Sequence, residues 1–314
     1  MTRAARVPAY AKINLGLRVL YKRPDGYHEL RTVFQTVSLA DTLNIVYTPG
    51  RATSVSVGGV PEIPDNIAAR AAHGVLEALG LQGKVVIDLR KRIPFGAGLG
   101  GGSSDAAAVL LALPVLAGRA LGPGALAALA ARLGSDVPFF LYGGRALGLG
   151  RGEELYPLPE STAVRGLLVA PAIHSSTADA YRDLSPQLTL IPLQNKLDSF
   201  QTDIWRVGQV AAVNDFEPVV CARHPRIGEI RDQLRRLRAN PAAMTGSGSA
   251  VFGIFNDPER LRRAQAAFPD DKTFPISFLT RNQYRARWRR ALASHTKPEK
   301  DGGEGWPPLS RYSR

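Results

Sequence analysis

The densest group of unusual residues lies between Pro94 and Ala107, where the chain reads PFGAGLGGGSSDAA. Five of the seven residues from Gly96 to Gly102 are glycines, and two serines follow directly. Glycine at this density opens the backbone to a close approach, because no side chain stands in the way. A helix starting at the serines adds its N-terminal amides and two hydroxyls, so the segment predicts a cradle for an anion such as a phosphate.

Two familiar nucleotide-binding patterns do not explain this glycine loop. Residues 96–101 satisfy G-x-G-x-x-G, but a dinucleotide fold also needs an acidic residue about 20 positions later to hold the ribose. No Asp or Glu stands between Asp105 and Asp136. A P-loop needs Gly-Lys before Ser or Thr, and no lysine follows the loop until Lys196. A more general phosphate cradle is therefore favoured over a flexible linker or a helix-packing corner.

Two further polar positions have the chemistry of a catalytic centre. Asp136 stands two residues before Pro138, where a carboxylate is compatible with a general base and equally with an Asx-type turn. Lys12 lies between apolar neighbours on a predicted strand, and Asn14 shares its polar face. A lysine in that position usually extends to solvent. The residue pattern alone leaves these alternatives open.

Hydrophobic periodicity places these residues on an alternation of strands and helices. Apolar residues alternate from Ala9 to Val19 and predict a strand, and a strand over 85–89 leads into the glycine loop. Ser103 or Ser104 is expected to cap the helix that follows. Helices that cover one sheet face in each half predict an α+β protein. The other predicted strands are 43–47, 167–170, 250–255 and 273–278, and the other predicted helices are 66–79, 125–133, 225–238 and 258–268.

The composition limits the class of protein. Of 314 residues, 45% are hydrophobic, which suits a globular chain of one large or two closely joined domains. No apolar run reaches the roughly 18 residues of a spanning helix, and the N-terminus lacks the apolar core of an export signal. The lone cysteine, Cys221, excludes an internal disulfide and suits a reducing compartment. A cytoplasmic protein without a membrane partner is expected.

The net charge of +13 raises the alternative of a nucleic-acid-binding protein. Residues 281–314 contain nine Lys or Arg and three Asp or Glu, and Tyr284 and Trp288 lie among the arginines. Basic residues interleaved with aromatic ones are compatible with that function. It leaves Lys12, Asp136 and the glycine loop unexplained, so a solvated basic surface is the preferred interpretation and no nucleic-acid partner is predicted.

The glycine loop resembles the second motif of the GHMP kinases, the family of galactokinase, homoserine kinase and mevalonate kinase, in which this loop wraps the phosphates of ATP. PAYAKINLGL at 8–17 resembles the first motif, and MTGSGSAVFGIF at 244–255 resembles the third. The resemblance implies a two-domain α+β GHMP kinase fold. A ribosomal-protein-S5-like α/β domain is expected at 1–165 and a ferredoxin-like α+β domain at 166–296, followed by a mobile tail at 297–314.

Further stretches narrow the resemblance within the family. AKINLGLRVLYKRPDGYHEL, GSDVPFFL and NDFEPV are similar to a member that phosphorylates the 2-hydroxyl of a small-molecule cytidine diphosphate substrate, on the non-mevalonate route to isoprenoid precursors. The donor is ATP, expected as MgATP. The implied mechanism is direct in-line transfer with Asp136 as base. Lys12 is then expected to keep that carboxylate ionised and to neutralise charge in the transition state.

The resemblance also implies which residues bind each substrate, and it predicts no metal site made by protein ligands alone. The acceptor's cytosine is expected between Tyr27 and Tyr181, with His28 at its edge, although the family more often has phenylalanine at position 181. The residues expected at ATP are Pro94, Gly96, Gly98, Leu99, Gly100, Gly101, Gly102, Ser103, Ser104, Asn66 and Lys91. Those expected at the acceptor are Asn14, Tyr27, His28, Thr177, Tyr181, Gly246 and Ser247.

Another small-molecule GHMP kinase, acting on homoserine or a mevalonate-type alcohol, is the nearest alternative. Such an enzyme would have no reason to carry the Tyr-His pair and Tyr181 arranged for cytosine. A monomer or a weak homodimer is expected.

Overall fold

The computed structural model describes residues 1–61, 63–161, 163–188, 190–205, 212–296 and 306–312, with the backbone alone at 203–205. Within these ranges no helix is long and apolar enough to cross a membrane. The elements in chain order are β1 (Arg3–Lys22), β2 (His28–Pro49), β3 (Ser54–Gly58), α1 (Ile67–Ala78), β4 (Gly83–Arg90), α2 (Gly101–Ala117), α3 (Pro123–Leu133), α4 (Val137–Tyr142), β5 (Arg145–Leu149), β6 (Glu154–Pro157), β7 (Arg165–Ala170), α5 (Thr177–Leu184), α6 (Leu193–Trp205), β8 (Val213–Asn214), α7 (Glu217–Arg223), α8 (Pro225–Arg236), β9 (Ala242–Met244), β10 (Val251–Phe255), α9 (Pro258–Ala266), β11 (Lys272–Ser277) and α10 (Arg281–Leu292).

The first sheet has the order β3-β4-β2-β1-β8, with β5 paired to β2 and β6 paired to β5. Its centre is the long antiparallel pair of β1 and β2, joined by a short turn at residues 23–27. The alternation from Ala9 to Val19 belongs to β1, which is longer than predicted. Residues 9–15 are buried at every position, because one face packs on helices and the other meets the second sheet. The face that carries Lys12 is therefore not a solvent face. The first sheet and the helices packed on it are called the first unit below, and the second sheet with its helices the second unit.

The second sheet has the order β11-β7-β10-β9, and all its described pairings are antiparallel. Its outer face packs on α8 and α9 through a core that includes Ile227, Ile230 and Ala264. Its inner face shares a hydrophobic cluster with β1, in which Ile13 packs with Phe252. The two sheets are thus joined by a common core, and the short strand β8 extends the first sheet with residues from the second half of the chain.

Helix α2 runs through the centre of the first unit and is buried over nearly its whole length. The prediction of a serine cap is wrong: the helix begins at Gly101, and its N-cap is Gly100 in a left-handed conformation with φ of 69°. Glycine adopts this conformation without strain, so the chain turns into the helix before the serines. Ser103 and Ser104 lie inside the first turn.

The C-terminal basic segment folds onto the first unit. Tyr284 and Trp288 on α10 are buried in the core that α2 shares with β1, so their rings are not available to stack on bases. The helix lies within the range assigned above to a C-terminal domain, but it packs on β1. Burial of both aromatic residues removes the main support for nucleic-acid binding.

Residues 306–312 also pack on the first unit, which differs from the mobile tail predicted for 297–314. The indole nitrogen of Trp306 donates to the carbonyl of Leu141 at 2.7 Å, and its ring meets Tyr284 edge-on with 6.3 Å between centroids. The buried hydroxyl of Ser310 donates to the carbonyl of Val115 at 2.8 Å. The rest of the predicted tail, at 297–305 and 313–314, lies outside the described residues.

This packing predicts that Trp306→Ala lowers the free energy of unfolding by about 2 kcal/mol, from a lost hydrogen bond and lost aromatic contact. Leu309, in the same segment, is 52% exposed, so Leu309→Ala is the matched control and should leave stability unchanged. Urea unfolding of both variants measures the difference. Equal stability of the two would mean that the segment contributes nothing to the fold.

Candidate active site

A cavity of about 780 Å³ opens where the two units meet. Its walls are the glycine loop, the cavity end of β1, the turn before β2, the start of α5 and the third glycine-rich motif. The structure brings together every predicted site residue except Asn66 and Ser104. Those lining the cavity are Lys12, Asn14, Tyr27, His28, Lys91, Pro94, Gly96, Gly98, Leu99, Gly100, Gly101, Gly102, Ser103, Asp136, Thr177, Tyr181, Gly246 and Ser247.

The two predicted residues outside the cavity lining have local roles. Asn66 is the N-cap of α1, and its side chain accepts a hydrogen bond from the amide of Ala68 at 2.9 Å. Ser104 is buried, one residue beyond Ser103 in the first turn of α2. The neighbours of both, Ile67 and Ser103, do line the cavity. Contact of Asn66 or Ser104 with ATP stays a prediction.

Lys12 and Asp136 form an ion pair in the cavity wall, with 3.4 Å between Nζ and Oδ2. The lysine side chain is only 4% exposed, whereas the aspartate is 31% exposed. The ammonium also lies 5.5 Å from the centre of the Phe34 ring, on the electron-rich face that attracts cations. A buried lysine needs such partners because desolvation penalises its charge. The carboxylate, in contrast, remains open to the cavity.

The contacts of Asp136 do not support the alternative that its side chain only stabilises an Asx-type turn. It is the N-cap of the short helix α4, yet its side chain makes no capping hydrogen bond within the described chain. The helix is held instead by buried apolar residues such as Phe139 and Phe140. The carboxylate is therefore available for chemistry.

Asn14 is almost completely engaged by the protein. Its side-chain oxygen accepts from Lys12 Nζ at 2.7 Å, and its side-chain nitrogen donates to the hydroxyl of Thr32 at 2.7 Å. Its backbone amide donates to the hydroxyl of Thr245 at 3.0 Å. Asn14 therefore holds the lysine, and because it also lines the cavity, its expected contact with the acceptor stays a prediction.

Three glycines of the loop are needed by the protein itself. Each has positive φ, and a Cβ would collide with the His174 ring at Gly96, with the Thr245 carbonyl at Gly98, and with the Phe140 ring and the Lys12 stem at Gly100. At Gly102 the nearest atom would be 3.7 Å away, an ordinary contact. The loop therefore opens to the cavity near Gly102 and is packed tightly before it.

The start of α2 gives the cavity an anion-binding wall. The first amides of a helix have no partner within the helix and carry the positive end of its dipole. Here they belong to Gly101, Gly102 and Ser103, and all three residues line the cavity. Together with the Ser103 hydroxyl, they form a site that fits a phosphate group.

Lys91 lies behind this wall in a buried cluster with two carboxylates. Its ammonium donates to Asp41 and, at 2.9 Å, to Asp105. Asp41 also accepts from the backbone amides of Arg92 and Ile93 at 2.6 and 2.8 Å, which ties the approach to the glycine loop to β2. Burial, with a smaller contribution from Asp41, raises the pKa of Asp105 to about 7 against the opposing effect of Lys91.

The opposite wall is aromatic. The rings of His28 and Tyr181 stack at 4.4 Å with an angle of 16°, and Tyr181 meets Phe216 edge-on at 4.8 Å. Tyr27 is half exposed, and the guanidinium of Arg151 lies 4.6 Å from its ring centre. The Nε2 atom of His28 is buried and has no partner among the described residues. Burial and the charge of Lys22 lower the pKa of His28, so the neutral ring can bond the edge of a base.

The third motif is locked to α5 beside this wall. The hydroxyls of Thr177 and Ser247 are 2.8 Å apart, and the Ser175 hydroxyl donates to the carbonyl of Ser247 at 2.6 Å. A Cβ at Gly246 would meet the backbone of Gly98, so the second and third motifs are packed against each other.

Sequence reasoning missed several polar residues of the site, namely Thr32, Asp41, Arg151 and Thr245. Thr32 had a usable signal, because residues on paired strands of one sheet can face each other. The others depend on loops or on contacts between the two units. Throughout the described ranges, no group of three or more His, Cys, Asp or Glu residues is placed to hold a metal ion.

Comparison with known proteins agrees with this fold. Residues 66–144 match the family described as GHMP kinases N terminal domain, and residues 200–272 match GHMP kinases C terminal. The homoserine kinase of Cytophaga hutchinsonii shares the fold, with a TM-score of 0.68 at 18% identity over 89% of this chain and 96% of that one. The class that the fold and the site define is an ATP-dependent small-molecule kinase of the GHMP type.

Relatives of higher sequence identity identify one family within this class. The chain is 53% identical to a 4-diphosphocytidyl-2-C-methyl-D-erythritol kinase of Solibacter usitatus over 99% of both chains. It is 43% identical to that of Moorella thermoacetica over 88% of this chain and 98% of the relative. A crystal structure of 4-(cytidine 5'-diphospho)-2C-methyl-D-erythritol kinase, 39% identical, matches with a TM-score of 0.73 over 88% of this chain and 99% of that one. The chain belongs to the 4-diphosphocytidyl-2-C-methyl-D-erythritol kinase family.

The buried cluster of Lys91, Asp41 and Asp105 behind the anion-binding wall predicts that the stability of the protein depends on pH. Because the pKa of Asp105 is raised in the folded state to about 7, its protonation favours folding, and that contribution is lost as the pH rises through about 7. The free energy of unfolding of Asp105→Asn, relative to that of the unaltered protein, should therefore be higher at about pH 8 than at about pH 5. Urea unfolding at the two pH values measures this change.

The matched control is Asp65→Asn, because the Asp65 side chain is 76% exposed. Its stability relative to the unaltered protein should change little across the same pH interval. A constant difference between Asp105→Asn and the unaltered protein at both pH values would contradict the raised pKa.

Proposed function

We propose that this chain transfers the γ-phosphoryl group of ATP directly to the 2-hydroxyl of 4-diphosphocytidyl-2-C-methyl-D-erythritol, on the non-mevalonate route to isoprenoid precursors. One observation carries the proposal. The Lys12–Asp136 pair lies in the same cavity as an anion-binding helix start and an aromatic wall. The names of the family's relatives supply the identity of the acceptor.

ATP binds with its phosphates at the start of α2. The amides of residues 101–103 and the Ser103 hydroxyl donate hydrogen bonds to the phosphate oxygens, without a P-loop lysine. Lys91 supports this wall from behind, where it lies close to Gly101. Its ammonium is shared with Asp41 and Asp105, so its main effect on the nucleotide is through the shape of the loop.

Mg²⁺ is expected as part of MgATP, where it would neutralise phosphate charge. Phosphate oxygens supply much of the shell of such an ion. The chain adds hard oxygen donors at the cavity wall, among them the Ser103 hydroxyl, and these suit Mg²⁺.

Asp136 acts as the base. Its exposed carboxylate accepts the proton of the acceptor hydroxyl as the bond to phosphorus forms, and the leaving group is ADP. Lys12 keeps the carboxylate ionised because a nearby cation favours the charged form. An ammonium has three donors. One bonds Asn14 at 2.7 Å, and the ion pair with Asp136 at 3.4 Å needs at most one more. The third can bond a phosphoryl oxygen as negative charge develops.

The aromatic wall selects the acceptor. The base is expected on the ring of the half-exposed Tyr27. Its place between Tyr27 and Tyr181 stays a prediction, since Tyr181 is stacked on His28 in this structure. The neutral ring of His28 lines the same wall and can hydrogen-bond the edge of the base. Homoserine and mevalonate have no base to use these groups, which is why a cytidine-bearing acceptor is favoured over the other substrates of the class.

A cytoplasmic location and a monomeric or weakly dimeric state remain predictions from the sequence and form part of this proposal.

The proposal predicts that the purified chain forms ADP from MgATP when 4-diphosphocytidyl-2-C-methyl-D-erythritol is added. Homoserine and mevalonate, tested at the same concentration, should give no more ADP than the reaction without an acceptor. The measurement is a coupled ADP assay, with ³¹P NMR to identify the phosphorylated product. Turnover with homoserine or mevalonate, and none with the cytidyl substrate, would contradict the assignment.

A further inference from the structure

A chain of hydrogen bonds runs through the protein from β2 to the catalytic lysine. The Thr32 hydroxyl donates to the carbonyl of Gly16 at 2.7 Å and accepts from Asn14 Nδ2 at 2.7 Å. Asn14 Oδ1 then accepts from Lys12 Nζ at 2.7 Å. Thr32, Asn14 and Lys12 are each less than 5% exposed, so water cannot readily replace any member of the chain.

The direction of these bonds is determined at the threonine. A hydroxyl has one hydrogen, and that hydrogen is used on the Gly16 carbonyl. Toward Asn14 the hydroxyl can therefore only accept, so the NH₂ side of the amide must face Thr32. The oxygen side must then face Lys12, because the two groups lie on opposite sides of one planar amide.

A second threonine supports the same orientation from the other unit. The hydroxyl of Thr245, which is fully buried after β9, accepts the backbone amide of Asn14 at 3.0 Å. Its own hydrogen points to Asn14 Oδ1, at 3.4 Å. Thr245 thus favours an oxygen at the same place as Thr32 does. It also links the lysine to the third motif, which forms the opposite side of the cavity.

We propose that Thr32, assisted by Thr245, is a positioning residue for catalysis: its hydroxyl fixes the orientation of the Asn14 amide so that an oxygen faces the Lys12 ammonium. The proposal rests on the proposed function of the Lys12–Asp136 pair. A reversed amide would place NH₂ against the ammonium, donor against donor. Lys12 would then move, and the ammonium would no longer lie where Asp136 and the transferred phosphoryl group need it.

Thr245 does not line the cavity, and Thr32, which does, has its hydroxyl engaged by the Gly16 carbonyl and by Asn14. Their loss should therefore lower kcat and leave the KM for ATP nearly unchanged. A merely structural role would lower stability without this split between kcat and KM.

The test is Thr32→Val, which keeps the shape of the side chain and removes the hydroxyl. We expect kcat to fall about tenfold or more, with the KM for ATP within about twofold. Thr32→Ser, which restores a hydroxyl, should recover most of kcat. Because Thr32 acts through the amide, Thr32→Val should cause little further loss in an Asn14→Ala background.

The chain offers a matched control four residues further along β2. Thr36 is fully buried, and its hydroxyl has no hydrogen-bond partner within the described chain. Thr36→Val makes the same chemical change without breaking a bond, so kcat should stay within about twofold of the unaltered protein. If Thr32→Val does not fold, Thr245→Val tests the same amide orientation, with Thr245→Ser as its rescue.

An unchanged kcat in Thr32→Val, or in Thr245→Val where only that variant folds, would overturn the proposal. So would a loss that Ser fails to restore, or a loss of the same size in Thr36→Val. Turnover by the unaltered chain with the cytidyl substrate reports separately on the proposed function. The two failures are therefore distinguishable.

Discussion

The candidate active site depends on one constraint: a lysine ammonium is held inside the protein. Lys12 lies on the central strand of the first sheet, with its side chain 4% exposed. An unpaired charge in that position would be expelled or neutralised. It is kept by an oxygen of Asn14, the face of Phe34 and the carboxylate of Asp136. Because Asp136 is the more exposed partner, the pair presents a carboxylate to the cavity and keeps the cation behind it.

Several features of the fold follow from making room for this lysine. Gly100 has no side chain where one would meet the Lys12 stem and the Phe140 ring. The same residue turns the chain into α2, whose first amides face the cavity. The backbone amide of Lys12 donates to the carbonyl of Leu99 at 3.0 Å. One short segment therefore supports both the Lys12–Asp136 pair and the anion-binding wall, and this fixes the distance between them.

Much of this arrangement could be predicted from the sequence. The periodicity predicted the strand that carries Lys12 and the helix after the glycine loop, and the resemblance assigned Asp136 and the aromatic residues. Burial of Lys12 could not be predicted, because the residues that enclose it, Phe34, Gly100 and Asp136, are distant from it in sequence. The prediction of a serine cap was wrong because Gly100 adopts the left-handed conformation and starts the helix before the serines. Three glycines proved to serve close packing inside the protein, and local sequence does not separate that need from ligand binding. The basic, aromatic C-terminal segment suggested a binding surface, but Tyr284 and Trp288 point into the core.

The central claim is that Asp136 takes the proton while the phosphate wall binds the nucleotide independently. Asp136→Ala tests it most directly, in single-turnover phosphoryl transfer alongside calorimetric titration with MgATP. The expected transfer rate is lower by about 10³-fold, with the Kd for MgATP within about threefold, because the loop amides and Ser103 are untouched. Asp65→Ala, at an exposed carboxylate outside the cavity, should leave both values unchanged. A transfer rate near that of the unaltered chain in Asp136→Ala would contradict the account.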